Sequence, residues 1–191
     1  MADFLLNAEL TALRQRVRDF MQTRVLPHED QVLREDREGT RKTLKSLQSE
    51  ARTAGLWVPH LPRQYGGLGL GPMGMCALFR EMGRSVIGAK VFNCDAPDQG
   101  NMDLLLAAAQ PALRDKYVQP LIDAQVTSAF CMTEPAPGAG ADPSNLNTTA
   151  ELKNGRWVIT GRKWWSSGAG DPRCEIAIVM GKTDTSAAVH Q

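Results

Sequence analysis

Residues 126–135 read Val-Thr-Ser-Ala-Phe-Cys-Met-Thr-Glu-Pro, and the character of the chain changes at this stretch. Residues 126–132 are rich in types that favour β-strands. The segment 135–145 that follows is rich in proline, glycine, alanine and asparagine, a composition that interrupts regular structure. We therefore predict that helices give way to strands near residue 125.

Upstream of this stretch, apolar residues repeat at steps of three and four, the period of amphipathic helices. Pro27 is expected to end the first helix and Gly55 to cap the second, while Asp98 is expected to be the N-cap of the fourth. The predicted helices cover residues 10–21, 44–54, 75–82, 101–109 and 111–123.

Downstream, two β-prone segments at residues 150–152 and 156–160 flank Asn154-Gly155, which predicts a tight hairpin. The apolar segment 176–180 predicts a further strand that needs neighbours. The fold class is α+β, with an N-terminal all-α helical domain (residues 1–125) followed by an incomplete antiparallel β domain (residues 126–191). Trp164 is expected to lie on a strand and pack into the core.

Composition excludes several function classes. The 191 residues carry a net charge of +1, so no strong field attracts nucleic acid. No apolar run approaches the roughly 18–20 residues of a membrane span, and the first nine residues hold two acids and no base, unlike a leader peptide. A cytoplasmic protein is expected, or a mitochondrial or peroxisomal one in a eukaryote. Four dispersed cysteines and three scattered histidines favour neither disulfides nor a metal site.

Three motifs occur in a specific order. Tyr65-Gly66-Gly67-Leu68-Gly69 lies between the early helices, Phe130-Cys131-Met132-Thr133-Glu134-Pro135 precedes a Gly/Ala loop and Asp142, and Gly161-Arg162-Lys163-Trp164-Trp165-Ser166-Ser167 follows the hairpin. In order and spacing, these segments resemble the acyl-CoA dehydrogenase family across essentially the whole chain. Residues 92–102 and the Trp-Trp-Ser-Ser run resemble the subgroup of long-chain members related to the vertebrate forms fused to a phosphotransferase-like domain.

The resemblance implies FAD as the cofactor and an acyl-CoA thioester as the substrate. The implied flavin contacts are Phe130, Cys131, Met132, Thr133, Gly138, Ala139, Gly140, Trp165, Ser166 and Ser167. Ser167 stands where the family has a threonine that bonds flavin N5, and it keeps the hydroxyl. Ala141 stands where the family has a serine near the substrate thioester, in a loop that is one or two residues longer. Trp165 could instead be a core tryptophan, and Asn101 and Asp103 could border the acyl pocket.

No catalytic residue is assigned within the chain. In the family the general base is a glutamate of a C-terminal helical domain, which is expected beyond residue 191, so this chain is expected to be a truncated, inactive form. Glu134 is a carboxylate beside the proposed flavin site, but in the family this glutamate orders the loop. The resemblance also implies fatty acid β-oxidation, an electron-transferring flavoprotein as acceptor, and a homodimer or homotetramer for the full-length parent.

Two alternatives stay open. Acyl-CoA oxidases and flavin monooxygenases share the fold and differ in how the reduced flavin meets oxygen, which the sequence does not decide. The chain could also be a non-catalytic fragment or a helical module that binds a partner.

Overall fold

The computed structural model describes residues 7–138 and 140–187. The chain divides into two compact units, Met1–Gln99 and Gly100–Gln191. The predicted order of a helical part followed by a small β region is confirmed. None of the helices in the described ranges is long and apolar enough to cross a membrane.

The first unit is helical. After the first helix, α1 (Ala8–Phe20), the chain keeps a helical path through a π-helical turn, Met21–Val25, and a 3-10 turn, Leu26–His28. The prediction that Pro27 ends the first helix is therefore wrong in detail, because Pro27 sits in the first turn of the 3-10 segment, where its missing N–H costs nothing. The helices are α1 Ala8–Phe20, α2 Glu29–Arg34, α3 Arg37–Thr53, α4 Pro72–Met82 and α5 Gly88–Val91.

The C-terminus of α3 carries the predicted glycine cap. Gly55 has a φ of +66°, the Leu56 N–H donates to the Ala51 carbonyl at 3.0 Å, and the Gly55 N–H donates to the Arg52 carbonyl at 2.9 Å. This pair of bonds is the Schellman arrangement that satisfies the last carbonyls of a helix. The core of the unit is apolar and fully buried, with Val17, Met21, Val25, Leu47, Ala51, Leu78, Met82, Val91 and Phe92 as its main members.

The motif at residues 65–69 is a folded turn within the first unit. The Gly69 N–H donates to the Leu61 carbonyl at 2.8 Å, and the Leu70 N–H donates to the Pro59 carbonyl at 3.1 Å. A side chain at Gly67 would place its Cβ 2.0 Å from the Leu61 carbonyl oxygen, so only glycine fits there. This motif is structural in the chain.

The second unit combines two helices with four short strands. The helices are α6 Asp98–Ala108 and α7 Pro111–Ile122. The strands are β1 Thr127–Cys131, β2 Thr149–Lys153, β3 Arg156–Thr160 and β4 Cys174–Val179. Asp98 is the first residue of α6 rather than its predicted N-cap. Asn101 on α6 is buried and donates to Ser128 Oγ at 2.8 Å and to the Ala129 carbonyl at 3.2 Å, which ties the helix to β1.

The strands form two separate pairs. β2 and β3 pair antiparallel, with Leu152 opposite Trp157, and both Asn154 (φ +52°) and Gly155 (φ +74°) have the positive φ of the predicted tight turn. β1 and β4 instead pair parallel, which corrects the expectation of antiparallel strands throughout. The segment 132–173 between them is long enough for the crossover that a parallel pair requires, and it contains the hairpin.

Candidate functional site

The carboxyl end of β1 is the centre of the candidate site. Phe130 is 37% exposed at this end, and Cys131, Met132 and Thr133 are half-buried. The strand ends at Cys131, and beyond it the Met132 carbonyl accepts from a side chain, whereas the Thr133 carbonyl accepts from a backbone N–H. The first four predicted flavin contacts therefore lie consecutively on one accessible strand end.

Glu134, directly after this strand end, is a buried hub of hydrogen bonds. Its residue exposure is only 2%. Its carboxylate accepts from the Asn147 N–H at 2.7 Å, the Thr148 N–H at 2.9 Å and the Lys163 ammonium at 2.8 Å, and also from the Thr148 hydroxyl. The segments 132–134, 147–148 and 161–163 thus meet at one carboxylate.

This environment fixes the charge of Glu134. Burial by itself would raise the pKa of the carboxyl group. The hydrogen bonds from Lys163, from the Thr148 hydroxyl and from the two backbone N–H groups outweigh burial and lower the pKa to about 2. A carboxylate with this pKa and no open face is a poor proton acceptor near neutral pH, which argues for a structural role.

Lys163 is the counter-ion of Glu134 and has a second partner. Its ammonium also donates to the Met132 carbonyl at 2.9 Å, and its side chain is only 12% exposed. The next residue, Trp164, donates its backbone N–H to the Thr133 carbonyl at 3.1 Å. Two consecutive carbonyls of the strand end are therefore held by two consecutive residues of the third motif.

The Gly/Ala loop folds back on Glu134. The Glu134 N–H donates to the Gly140 carbonyl at 3.1 Å, and a Cβ at Gly138 would lie 2.7 Å from the Glu134 carboxylate. Gly138 is therefore held against the hub, whereas Gly140 and Ala141 are exposed. Ala139, also a predicted contact, lies outside the described residues.

The Trp-Trp-Ser-Ser segment is fixed at both ends. A Cβ at Gly161 would lie 2.2 Å from the Thr148 hydroxyl oxygen, and one at Gly168 would lie 2.9 Å from the Ser128 carbonyl oxygen. Between these anchors the segment 161–166 forms no strand, so the expectation that Trp164 lies on a strand and packs into the core is wrong. Trp164 is 47% exposed, and its backbone N–H rather than its ring makes the contact with Thr133.

Trp165 is presented to solvent in an unusual conformation. It is 79% exposed and has a φ of +53°, a region that bulky residues seldom occupy. A core role for Trp165 is therefore excluded within this chain. Ser166 is half-buried and accepts a hydrogen bond from the Ala169 N–H at 3.1 Å through its carbonyl, while Ser167 is exposed.

The structure thus brings the strand end, Gly138 and the Trp-Trp-Ser-Ser segment together around Glu134. The residues that do this, Lys163, Thr148 and Asn147, were given no role in the sequence interpretation. A signal was available for Lys163, because a glutamate that follows a β-prone segment is seldom buried without a cationic partner. Asn147 and Thr148 act mainly through backbone N–H groups, which carry no sequence signal.

Comparisons with known proteins identify the family of the chain. The family model for the N-terminal domain of acyl-CoA dehydrogenase matches residues 7–125, and the model for the middle domain matches residues 129–191. The protein named "Probable acyl-CoA dehydrogenase FadE2" from Mycobacterium tuberculosis is 38% identical over 196 residues, covering 99% of this chain and 47% of that protein. "Acyl-CoA dehydrogenase family member 11" from Homo sapiens is 36% identical over 185 residues, covering 92% of this chain and 23% of that protein.

Solved structures show the same fold. A candidate acyl-CoA dehydrogenase from Mycobacterium abscessus has 39% identity and a TM-score of 0.85, covering 95% of this chain and 47% of that one. An acyl-CoA dehydrogenase from Bacillus anthracis, solved in complex with FAD, has 24% identity and a TM-score of 0.66, covering 93% of this chain and 30% of that one, and shows the fold alone. The chain spans half or less of the length of these proteins. The motifs, the fold and both family models establish that this chain belongs to the acyl-CoA dehydrogenase family.

Proposed function

We propose that this chain supplies the N-terminal and middle parts of an FAD-dependent acyl-CoA dehydrogenase, which removes hydrogen from Cα and Cβ of an acyl-CoA thioester. The observation that carries the proposal is the assembly at Glu134. One buried ion pair joins the strand end 130–133 to the segment that presents Trp165 to solvent. Exposed aromatic rings beside a fixed polar backbone suit a flat ligand with both apolar and hydrogen-bonding edges.

The described residues fit one side of a flavin ring. The half-buried strand end at Met132 and Thr133 offers backbone groups, Trp165 offers an exposed aromatic face, and the Ser167 hydroxyl is accessible. When bound, FAD would accept the hydride from the β-carbon of the substrate. The residues of this chain would hold and orient the ring, and donors fixed before the reaction stabilise developing charge without reorganisation. The proposed contacts are Phe130, Cys131, Met132, Thr133, Gly138, Ala139, Gly140, Trp165, Ser166 and Ser167.

The substrate side is sparse in this chain. Ala141 is exposed and has no polar side chain, so it would contribute shape rather than a hydrogen bond to an acyl-CoA thioester. Glu134 is not the general base in this proposal, because it is buried and its hydrogen bonds hold it ionised. We assign the base to a C-terminal helical domain beyond the 191 residues, and we place the domain boundary near residue 125.

The family resemblance supports further proposals for the full-length protein. We assign it to fatty acid oxidation, with an electron-transferring flavoprotein as acceptor and a homodimeric or homotetrameric assembly. Independently of the resemblance, we propose a cytoplasmic location, or a mitochondrial or peroxisomal one in a eukaryote. The 191-residue chain by itself should bind FAD weakly or not at all and should not turn over acyl-CoA, because general base catalysis alone is worth roughly 10²–10⁴-fold.

A chimera tests the proposal directly. The chain would be fused to the C-terminal portion of the Mycobacterium tuberculosis relative. The chimera would be purified with added FAD and mixed with acyl-CoA. A dehydrogenase should show a flavin spectrum that bleaches with acyl-CoA and should reduce an artificial electron acceptor. Hydrogen peroxide formation in air at a similar rate would favour an oxidase instead. A folded chimera without a flavin spectrum would contradict the flavin assignment and favour a partner-binding module.

A further inference from the structure

We propose that Lys163 is a positioning residue whose ammonium sets the orientation of the Met132–Thr133 peptide. The inference deepens the flavin site proposed above and rests on it, since the value of this orientation depends on what the peptide faces. The evidence is geometric: the ammonium donates to the Met132 carbonyl at 2.9 Å and to the Glu134 carboxylate at 2.8 Å.

Fixing one carbonyl fixes the rest of its peptide. The peptide group is planar and trans, so its C=O and N–H point in opposite directions. The Met132 carbonyl points at Lys163, and the N–H of Thr133 therefore points away from it. In the part of the chain that the structure describes, this N–H has no hydrogen-bond acceptor. Lys163 thus fixes this backbone donor so that it points away from the ion pair.

The following peptide is fixed by the same segment. The Thr133 carbonyl accepts from the Trp164 N–H at 3.1 Å, and the Glu134 N–H donates to the Gly140 carbonyl at 3.1 Å. The strand end cannot rotate at Met132 without also disturbing these bonds. Lys163 is suited to the task because an ammonium has three donors, enough for both the carboxylate and the carbonyl.

A counter-ion role alone would not require this geometry. A lysine that only neutralised Glu134 could approach either carboxylate oxygen from any open side. Lys163 instead reaches Oε1 from the side on which the Met132 carbonyl lies, and its side chain is 12% exposed. The two roles make different predictions, because loss of a counter-ion weakens the whole unit, whereas loss of a positioning contact loosens the strand end first.

Amide hydrogen exchange on the ligand-free 191-residue chain separates the two roles. In Lys163→Met, exchange of the Glu134 and Trp164 amides should rise about tenfold or more, as expected for loss of a charge-assisted hydrogen bond. The amides of β1 and α7 report the uniform rise caused by loss of the Glu134 counter-ion, and the Glu134 and Trp164 amides should exceed that uniform rise about tenfold or more. Lys163→Arg keeps the charge and should restore most of the protection. Lys153→Met is the matched control, because it removes an exposed lysine that pairs with Glu151 at 2.6 Å in the same unit.

An equal rise in exchange across the whole unit, or no rise at Glu134, would overturn the inference. If Lys163→Met does not fold, the contact is measured in the unmodified chain. A scalar coupling between Lys163 Nζ and the Met132 carbonyl carbon supports the hydrogen bond, and absence of this coupling overturns the inference. These measurements contain no flavin. A failure of the flavin assignment would appear separately, as a folded chimera that lacks a flavin spectrum.

Discussion

Each unit of the molecule contains one deeply buried glutamate, and the two are used differently. Glu81 in the helical unit is 3% exposed and pairs with Arg18 at 2.9 Å, but the Arg18 side chain is 38% exposed. Glu134 in the strand unit is 2% exposed, and its partner Lys163 is only 12% exposed. The first pair is open to solvent at Arg18, with the less exposed Arg14 (13%) at 3.9 Å from the same carboxylate, whereas the second is closed.

Their surroundings also differ. Glu81 sits at the edge of a continuous apolar core of helices. In the strand unit, several large apolar side chains face solvent: Leu152 at 62%, Trp157 at 59%, Ile159 at 53% and Trp165 at 79% exposure. The comparison shows that packing organises the helical unit, whereas one ion pair and its hydrogen bonds organise the strand end that we assign to ligand binding.

The largest expected effect is loss of the closed pair. Glu134→Gln leaves the Lys163 ammonium buried without a counter-ion and should lower the free energy of unfolding of the strand unit by about 3–5 kcal/mol. Glu81→Gln should cost less, about 1.5–3 kcal/mol, because Arg18 can turn to water and the less exposed Arg14 lies at 3.9 Å, beyond hydrogen-bond distance. Hydrogen exchange resolved by peptide measures each unit separately. Equal losses in the two variants would contradict the distinction between a closed and an open pair.

Acid should act on the strand unit through Glu134. The pKa of this carboxyl is lowered to about 2, against an ordinary value of 4.5. The unfolded chain binds the proton first, so the stabilisation is present above pH 4.5 and is lost as the pH falls toward 2. After allowance for solvent screening, the loss is on the order of 2 kcal/mol. Urea unfolding between pH 6 and pH 3 measures it, and in Glu134→Gln this slope should disappear.

The helical unit should respond at higher pH through His60. This ring is 9% exposed, neither ring nitrogen has a partner in the described ranges, and burial lowers its pKa from 6.5 to about 4. The unfolded chain again binds the proton first, so stability declines as the pH falls from 6.5 to 4, by about 1–2 kcal/mol after screening. His60→Leu should flatten this window. His28→Gln, at the half-exposed histidine, should leave it unchanged, and the same flattening there would refute the assignment.

In the helical unit, the sequence predicted α1, α3 and α4 but not the short helices α2 and α5, and Pro27 does not end the helical path as expected. The glycine cap after α3 was predicted correctly because its signal acts within a single turn. The Asn154-Gly155 turn was predicted for the same reason. Parallel pairing of β1 and β4 could not be predicted, because strand direction depends on the path of the whole segment between them.

The candidate site was predicted only in its motifs. Residues 130–133 and 165–167 were expected to contact the same ligand, and in the structure Lys163 and Trp164, just before the second group, hydrogen-bond to the first. The sequence did not predict the hydrogen bonds that bring these segments together. The backbone N–H groups of Asn147 and Thr148 carry no sequence signal, because every residue except proline has one. The prediction of a strand at Trp164 was wrong. A β-prone composition does not show that Lys163, three residues after β3, binds the buried Glu134 instead of continuing a strand.

A smaller effect is expected at the proposed flavin contacts in the chimera. Ser167→Ala should lower kcat several-fold to about tenfold with little change in KM, because a neutral hydrogen bond is worth about 0.5–1.5 kcal/mol and this one would matter most as the hydride arrives. Trp165→Ala should instead lower the fraction of enzyme that retains FAD. If Ser167→Ala keeps full kcat and only lowers Tm, the contact assigned to Ser167 is wrong.

The smallest effect concerns the backbone at Trp165, and it sharpens the contrast between the units. Val58 in the helical unit also has a positive φ, +38°, but it is fully buried, so packing holds it there. Trp165, at +53° and 79% exposed, has no such compensation from burial. An L-residue in this region costs roughly 1 kcal/mol, and glycine avoids the cost. Trp165→Gly should therefore be more stable than Trp165→Ala by about 0.5–1 kcal/mol in urea unfolding.

At Trp164, where φ is not positive, the order should reverse, because glycine is then the more flexible residue of the unfolded chain. The same order at both positions would show that Trp165 does not keep its left-handed conformation in solution, and the strain could then no longer be taken as a mark of the ligand-facing segment.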